Sequence, residues 1–156
     1  MDVKVHFQVQ DLQARYVQTI DDNNLDAWPD FFTTDGRYRV TTAENFEQDL
    51  PLGMMYATSR AMLRDRIRSL RDANVYEAQR YRHVVGMPLM EPLDGSHVRA
   101  QTNFMVARVM ATGETMLFAT GRYRDTIALD GNEALFKEKI VILDSRQIDT
   151  LLAIPL

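Results

Sequence analysis

The chain of 156 residues contains no cysteine, which removes disulfides, thiolate nucleophiles and every zinc or iron–sulfur centre built on sulfur ligands. That absence also fits a reducing cytoplasm, which is the expected location. Long apolar runs are missing too. Residues 1–10 mix Asp2, Lys4, His6 and Gln8 among their apolar neighbours and do not read as a signal peptide. No later segment approaches the roughly 18 unbroken apolar residues of a membrane helix. Positive charge is not in excess, since 18 Lys and Arg face 22 Asp and Glu for a net charge of -4. Neither nucleic acid nor an anionic membrane is therefore an expected partner.

The common signatures of catalysis are equally absent. There is no Gly-rich phosphate loop, no G-x-S-x-G elbow and no H-E-x-x-H helix. A non-haem iron site needs two imidazoles and a carboxylate on one metal, usually with two ligands close in sequence. His6, His83 and His97 are the only histidines and are widely separated. No catalytic, cofactor-binding or metal-binding residue is assigned on these grounds.

What is present is patterned. Val9, Leu12, Tyr16 and Ile20 recur at three- and four-residue steps, predicting an amphipathic helix that ends near Asp22-Asn23-Asn24. A shorter helix is expected from Asp26, with that carboxylate as its cap, Pro29 in the first turn, and Leu25, Trp28 and Phe32 on one side. Residues 34–36 should stop it, and 37–41 alternate like a strand. The longest helix is expected over about 59–74, with Tyr56, Leu63, Ile67 and Leu70 facing the core. Arg60, Arg64, Arg68 and Arg71 form a stripe beside that face, because four-residue steps advance only about 40° around the axis. It reads as a solvated face with Asp65 and Asp72 as partial partners.

Gly95, Gly113 and Gly131 recur at equal intervals in turn-forming pairs. They divide the second half into consecutive strands near 81–90, 97–110, 114–129 and 134–143, an antiparallel meander. Strands this long twist and bulge. The chain is expected to fold as one domain over residues 1–156, of α+β class, with a strongly curved antiparallel sheet wrapped into a cone around the N-terminal helices.

Such a cone can enclose a pocket, so its inward polar residues matter. His83 shares a strand face with Tyr81 and Val85, with Arg82 opposite. It could act as a general base if the fold brought Asp35 or Tyr38 to it, and otherwise reads as a hydrogen-bonded sheet histidine. By strict alternation Arg122 and Arg124 share a face with Phe118, and Glu138 shares one with Phe136, Ile140 and Ile142. Those charges need partners inside the cone or across a subunit contact. Trp28, Phe31 and Phe32 have the spacing of ordinary packing. Leu151, Leu152, Ile154 and Leu156 offer apolar area for a subunit interface, together with Arg82, His83, Arg122 and Arg124.

Several stretches together resemble the small (beta) subunits of aromatic-ring-hydroxylating dioxygenases over nearly the whole chain. They are Leu25 to Phe32 leading into Asp35-Gly36-Arg37-Tyr38, Tyr81 to Gly86, Ala119 to Asp125, Asp144-Ser145 and Leu151 to Leu156. Within the family, 44–48, 61–67, 104–106 and 112–115 look most similar to subunits acting on aromatic carboxylates, terephthalate dioxygenase first and salicylate hydroxylase second. The resemblance implies a nuclear-transport-factor-like cone and a structural rather than catalytic subunit. It also implies self-association as a trimer and an alpha3beta3 assembly with a large (alpha) subunit. That partner would carry the Rieske [2Fe-2S] cluster and mononuclear Fe(II), with NAD(P)H electrons arriving through a reductase. The same cone hosts cofactor-independent isomerases and dehydratases of the ketosteroid isomerase and scytalone dehydratase type. His83 with Asp35 or Tyr38 would be the corresponding site here. A stand-alone ligand-binding module would need an open cavity, which Phe104, Met116 and Phe118 are bulky enough to fill.

Overall fold

A computed structural model describes residues 1–50, 53, 55–73, 79–145 and 154–156. Helix α1 spans Val3–Asp21 and buries Val9, Leu12, Gln13, Tyr16, Val17 and Ile20, the predicted stripe with a glutamine inside it. Asp2 caps it, accepting the amide of Lys4 at 3.1 Å. The following turn is a 3-10 helix, Leu25–Phe31, led by Asn24 with no side-chain cap, so Asp26 does not play its expected role. Leu25, Trp28 and Phe32 are nonetheless fully buried. Strand β1, Phe32–Thr42, begins earlier than the sequence suggests and absorbs residues 34–36 as an irregularity between Phe32 and Arg37. Thr42 caps a short helix α2, Ala43–Glu47, and β2 follows at Met55–Ala57.

Helix α3, Arg60–Ala73, packs Leu63, Ile67 and Leu70 inward. Tyr56 does not join that face; it lies on β2, about half exposed, where its hydroxyl takes a hydrogen bond from Arg37 at 2.5 Å. The arginine stripe is more than a solvated face. Arg60 donates to the carbonyl of Phe32, Arg64 reaches Asp30 at 2.9 Å and Arg71 reaches the carbonyl of Asn23 at 2.9 Å. These contacts fasten α3 to the 3-10 turn and the start of β1, while Arg68 lies 3.6 Å from Asp65.

The remaining strands are β3 (Gln79–Val85), β4 (Leu89–Pro92), β5 (His97–Met110), β6 (Thr115–Asp130) and β7 (Glu133–Leu143). Their order in the sheet is β2-β1-β7-β6-β5-β3, with β4 also on β5. The meander is antiparallel as expected, but β1 runs parallel to β7, so the sheet is mixed. The expected strand at 81–90 is two strands, because Pro88 offers no amide to a ladder. Gly113 and Gly131 turn with φ of +89° and +61°, which explains glycine there. At Gly121 a Cβ would collide with the carbonyl of Ile142, so glycine allows β6 and β7 to meet.

Two bulges reverse the face assignments made from strict alternation. Between β5 and β6 the register skips Phe118, and between β6 and β7 it skips Lys137. Past Lys137, therefore, Lys139, Val141 and Leu143 join Phe136 on the inner face. Glu138, Ile140 and Ile142 face outward, alongside Arg122 and Arg124. Phe118 turns inward onto Tyr81, with ring centroids 5.4 Å apart.

Candidate functional site

The inner face of the sheet closes on α1 through two polar clusters. In the first, Gln13 of α1, Asp125 of β6 and Lys139 of β7 are all buried. Lys139 Nζ lies 3.2 Å from Asp125 Oδ2 and 3.2 Å from Gln13 Oε1, and Gln13 Nε2 donates to Asp125 at 2.5 Å. The ammonium also sits 3.7 Å from the centroid of Tyr123 and 4.1 Å from that of Phe136, a cation–π enclosure. Burial lowers the Lys139 pKa to about 8 against the pull of Asp125, and burial raises that of Asp125. Every charged atom of this cluster is committed to another member, so it is a structural lock.

In the second cluster, Asp21 at the end of α1 binds His83 of β3 twice. Its Oδ2 accepts the His83 amide at 2.8 Å and its Oδ1 meets Nδ1 at 2.6 Å. Both side chains are essentially inaccessible, at 0% and 1% exposure. Among the described residues His83 Nε2 has no hydrogen-bond partner. His83 therefore does have a carboxylate, but it is neither of the expected residues. Asp35 is exposed and engaged by the Thr33 hydroxyl at 2.9 Å, which lowers its pKa. Tyr38 is buried with its hydroxyl on the Leu156 backbone, donating to the main-chain oxygen at 3.0 Å and accepting the amide at 3.1 Å. The set His83, Asp35 and Tyr38 does not assemble.

Leu156 also accepts from the hydroxyl of Tyr16 at 2.9 Å, and that hydroxyl receives the indole N–H of Trp28 at 3.1 Å. Burial raises the pKa of Tyr16, Tyr38 and Tyr123. Ile154 and Leu156 are thus core residues, 5% and 0% exposed. Within one chain their side chains are already covered, which leaves them little area for a subunit contact. The side chain of His83 is covered in the same way. Leu151 and Leu152 lie outside the described residues.

The outer face is different in character. Arg122 and Arg124 stand over the ring of Phe46 on α2, at 5.8 and 5.9 Å. Arg82 is exposed, and beside it Val84 pairs in register with Met105. Leu117 lies one step along the adjoining strand, opposite Ala107. With Met87 and Leu89 these side chains are between 47% and 82% exposed, an apolar patch rimmed by arginine.

Asp21 was missed although the signal existed: Gln13, Val17 and Asp21 form one four-residue row inside the apolar stripe of α1. Lys139 was missed because the bulge at Lys137 is invisible to an alternation count. The donor set does not fit a Rieske cluster or a mononuclear iron. Cysteine is absent, and the carboxylates that meet the imidazoles of His83 and His97, Asp21 and Asp94, each meet one histidine alone. Among the described residues no group of three candidate ligands forms.

Comparison with known proteins agrees with this geometry. Residues 3–138 match the SnoaL-like domain. The chain is 43% identical over 149 residues to the terephthalate 1,2-dioxygenase terminal oxygenase component subunit beta 1 of Comamonas sp, covering 96% of this chain and 97% of that one. It is 36% identical over 156 residues to the anthranilate 1,2-dioxygenase small subunit of Burkholderia cepacia, covering 99% and 96%. A crystal structure assigned as the beta subunit of an aromatic-ring-hydroxylating dioxygenase from Novosphingobium aromaticivorans superposes with a TM-score of 0.89 at 33% identity, covering 97% of each chain. The chain belongs to the SnoaL-like family and, within it, to the small (beta) subunits of aromatic-ring-hydroxylating dioxygenases.

Proposed function

We propose that this chain is the structural small subunit of a Rieske-type dioxygenase that acts on an aromatic carboxylate in the cytoplasm. It self-associates as a trimer and docks three large subunits, which hold the [2Fe-2S] cluster and the Fe(II) reached by NAD(P)H electrons through a reductase. The preference for an aromatic acid is supported by relatives named for terephthalate and anthranilate. The observation that carries the structural role is the outer patch of Val84, Met87, Leu89, Met105 and Leu117. Exposed apolar area of this kind marks subunit interfaces. Arg82, Arg122 and Arg124 rim that patch and supply its polar contacts.

Native mass spectrometry of the chain, alone and co-expressed with its iron-bearing partner, tests this reading. The expected species are a colourless homotrimer and a 3:3 complex, with iron and aromatic-acid oxidation confined to the latter. A chain that stays monomeric and captures no large subunit, or that binds iron stoichiometrically by itself, overturns it.

A further inference from the structure

The half of the outer face built on β1, β7 and β6 carries guanidinium groups that no carboxylate answers. Cross-strand register sets Tyr56, Arg39, Ile140 and Arg124 in one row over β2, β1, β7 and β6, with Arg37 and Glu138 in the next row. Helix α2 packs on β1 and β7 and brings Phe46 to these rows, where Arg122 and Arg124 stand 5.8 and 5.9 Å from its ring centroid. A cleft of about 500 Å³ opens beside Phe46, lined by Arg37, Arg39, Tyr56 and Ile140 and by the carboxylates of Asp49 and Glu138. Arg37 is engaged, donating to the Tyr56 hydroxyl at 2.5 Å and standing opposite Glu138 in register. Arg39, Arg122 and Arg124 are partly buried, and among the described residues none of them makes a hydrogen bond or an ion pair. Of the two carboxylates in the cleft, Glu138 is answered by Arg37, which leaves Asp49 against Arg39, Arg122 and Arg124. We propose that this cleft binds a small aromatic carboxylate, with the carboxylate held between Arg39 and Arg124 across Ile140 and the ring against Phe46 and Ile140. The inference goes beyond the structural role argued above and does not rest on it.

The neighbours of Arg39 prepare it for this contact. A Cβ on residue 53 would lie 2.8 Å from the Val40 carbonyl and 3.2 Å from Arg39 Cγ. Gly53 therefore lets the backbone close against the arginine stem, which loses freedom before any ligand arrives. Neighbouring strands stand about 4.8 Å apart, so the Cα atoms of Arg39 and Arg124, two strands apart, are separated by about 10 Å. Two arginine side chains span that gap onto one carboxylate, whose paired oxygens match the fork of a guanidinium. The cleft also selects against other anions. Phe46, Ile140 and the ring of Tyr56 give apolar surface that a phosphate or sulfate cannot use, and Asp49 and Glu138 penalise a second negative charge. A monoanion with an apolar ring satisfies both walls.

The full chain, labelled with 15N-arginine, is titrated with benzoate, with benzamide (the same ring without the charge) and with acetate (the charge without the ring). Benzoate is expected to shift the Arg39 and Arg124 Nε resonances saturably, and the two controls to bind at least roughly tenfold more weakly. Arg39→Gln and Arg124→Gln should each weaken benzoate roughly ten- to a hundredfold, the loss of a charged hydrogen bond. Phe46→Leu should weaken it roughly three- to tenfold through the lost ring contact. Glu138→Gln removes a repelling charge and should tighten benzoate, a gain that a merely structural glutamate does not predict. Melting curves establish that each variant is folded. Light scattering with and without saturating benzoate separates the free acid from an acidic side chain of a second subunit. Saturable binding at unchanged mass supports the site, and so does binding that dissociates an oligomer, with a subunit's acid then competing for the same arginines. The proposal is overturned if benzoate gives no saturable shift, whether or not Arg39→Gln alters the mass. It is equally overturned if acetate or benzamide binds as well as benzoate, or if Arg39→Gln and Arg124→Gln, both folded, bind benzoate unchanged.

Discussion

Lys139 is the residue whose environment departs furthest from its chemistry. Its ammonium is wholly buried, and what retains it is Asp125, Gln13 and three aromatic rings. Removing one partner of such a pair leaves the other uncompensated, at a cost of about 3–5 kcal/mol, whereas replacing both with apolar side chains is near neutral or stabilising. Lys139→Met should therefore lower the urea midpoint sharply, and Asp125→Leu with Lys139→Met should recover most of the loss. Equal costs for the single and double variants would show that the lock contributes through shape alone. The pair also gives stability a pH dependence. Because the pKa of Lys139 is about 8 in the fold and ordinarily 10.5, the unfolded chain binds more protons across that window. The penalty for burying this charge is present below pH 8 and relieved as pH rises toward 10.5. Relative to the double variant, the wild type should gain stability through that range, by at most about 1.4 kcal/mol per pH unit. A flat or falling difference would contradict the assignment.

Among the elements, the segment 154–156 is tied into the core by both its backbone and its side chains. Leu156 satisfies the hydroxyls of Tyr16 and Tyr38, and Ile154 packs beside them. Deleting residues 154–156 should strand the buried Tyr38 hydroxyl, at about 1–3 kcal/mol, and deprive the Tyr16 hydroxyl of its acceptor while its Trp28 contact remains, in addition to the lost apolar burial. The melting temperature should fall well before assembly is affected; an unchanged melt with a lost oligomer would restore these residues to the interface. Composition and spacing could not distinguish these roles, since an apolar tail has the same pattern whether it lies inside a subunit or between subunits. The helices α1 and α3 and the meander were legible because Leu63, Ile67 and the turn glycines obey local periodicities. The parallel pairing of β1 with β7 was not, because it joins residues a hundred positions apart. The inward row of Gln13, Val17 and Asp21 was legible on α1, but not the pairing of Asp21 with His83, 62 residues away.

At the scale of the whole molecule, inner and outer faces divide the work. Inside, rings of Tyr16, Trp28, Phe32, Tyr38 and Phe136 meet edge to face at 5.0 to 6.4 Å and fix the curvature of the sheet. Outside, the bulges at Phe118 and Lys137 set which side chains face outward past each skipped residue, and the surface they leave combines arginine with exposed aliphatic groups. Such a surface suits an interface that must be apolar at its centre and charged at its rim. Met105→Glu and Leu117→Glu place a carboxylate in the middle of the patch without touching the core. If the proposed trimer forms through this patch, each should shift the chain toward monomer in light scattering while leaving its circular dichroism intact. Val3→Glu provides the contrast, because Val3 is 66% exposed on α1 and on a different surface. If Val3→Glu dissociates the chain and the two sheet variants do not, the subunits meet through α1, and the outer sheet face is left for the large subunit.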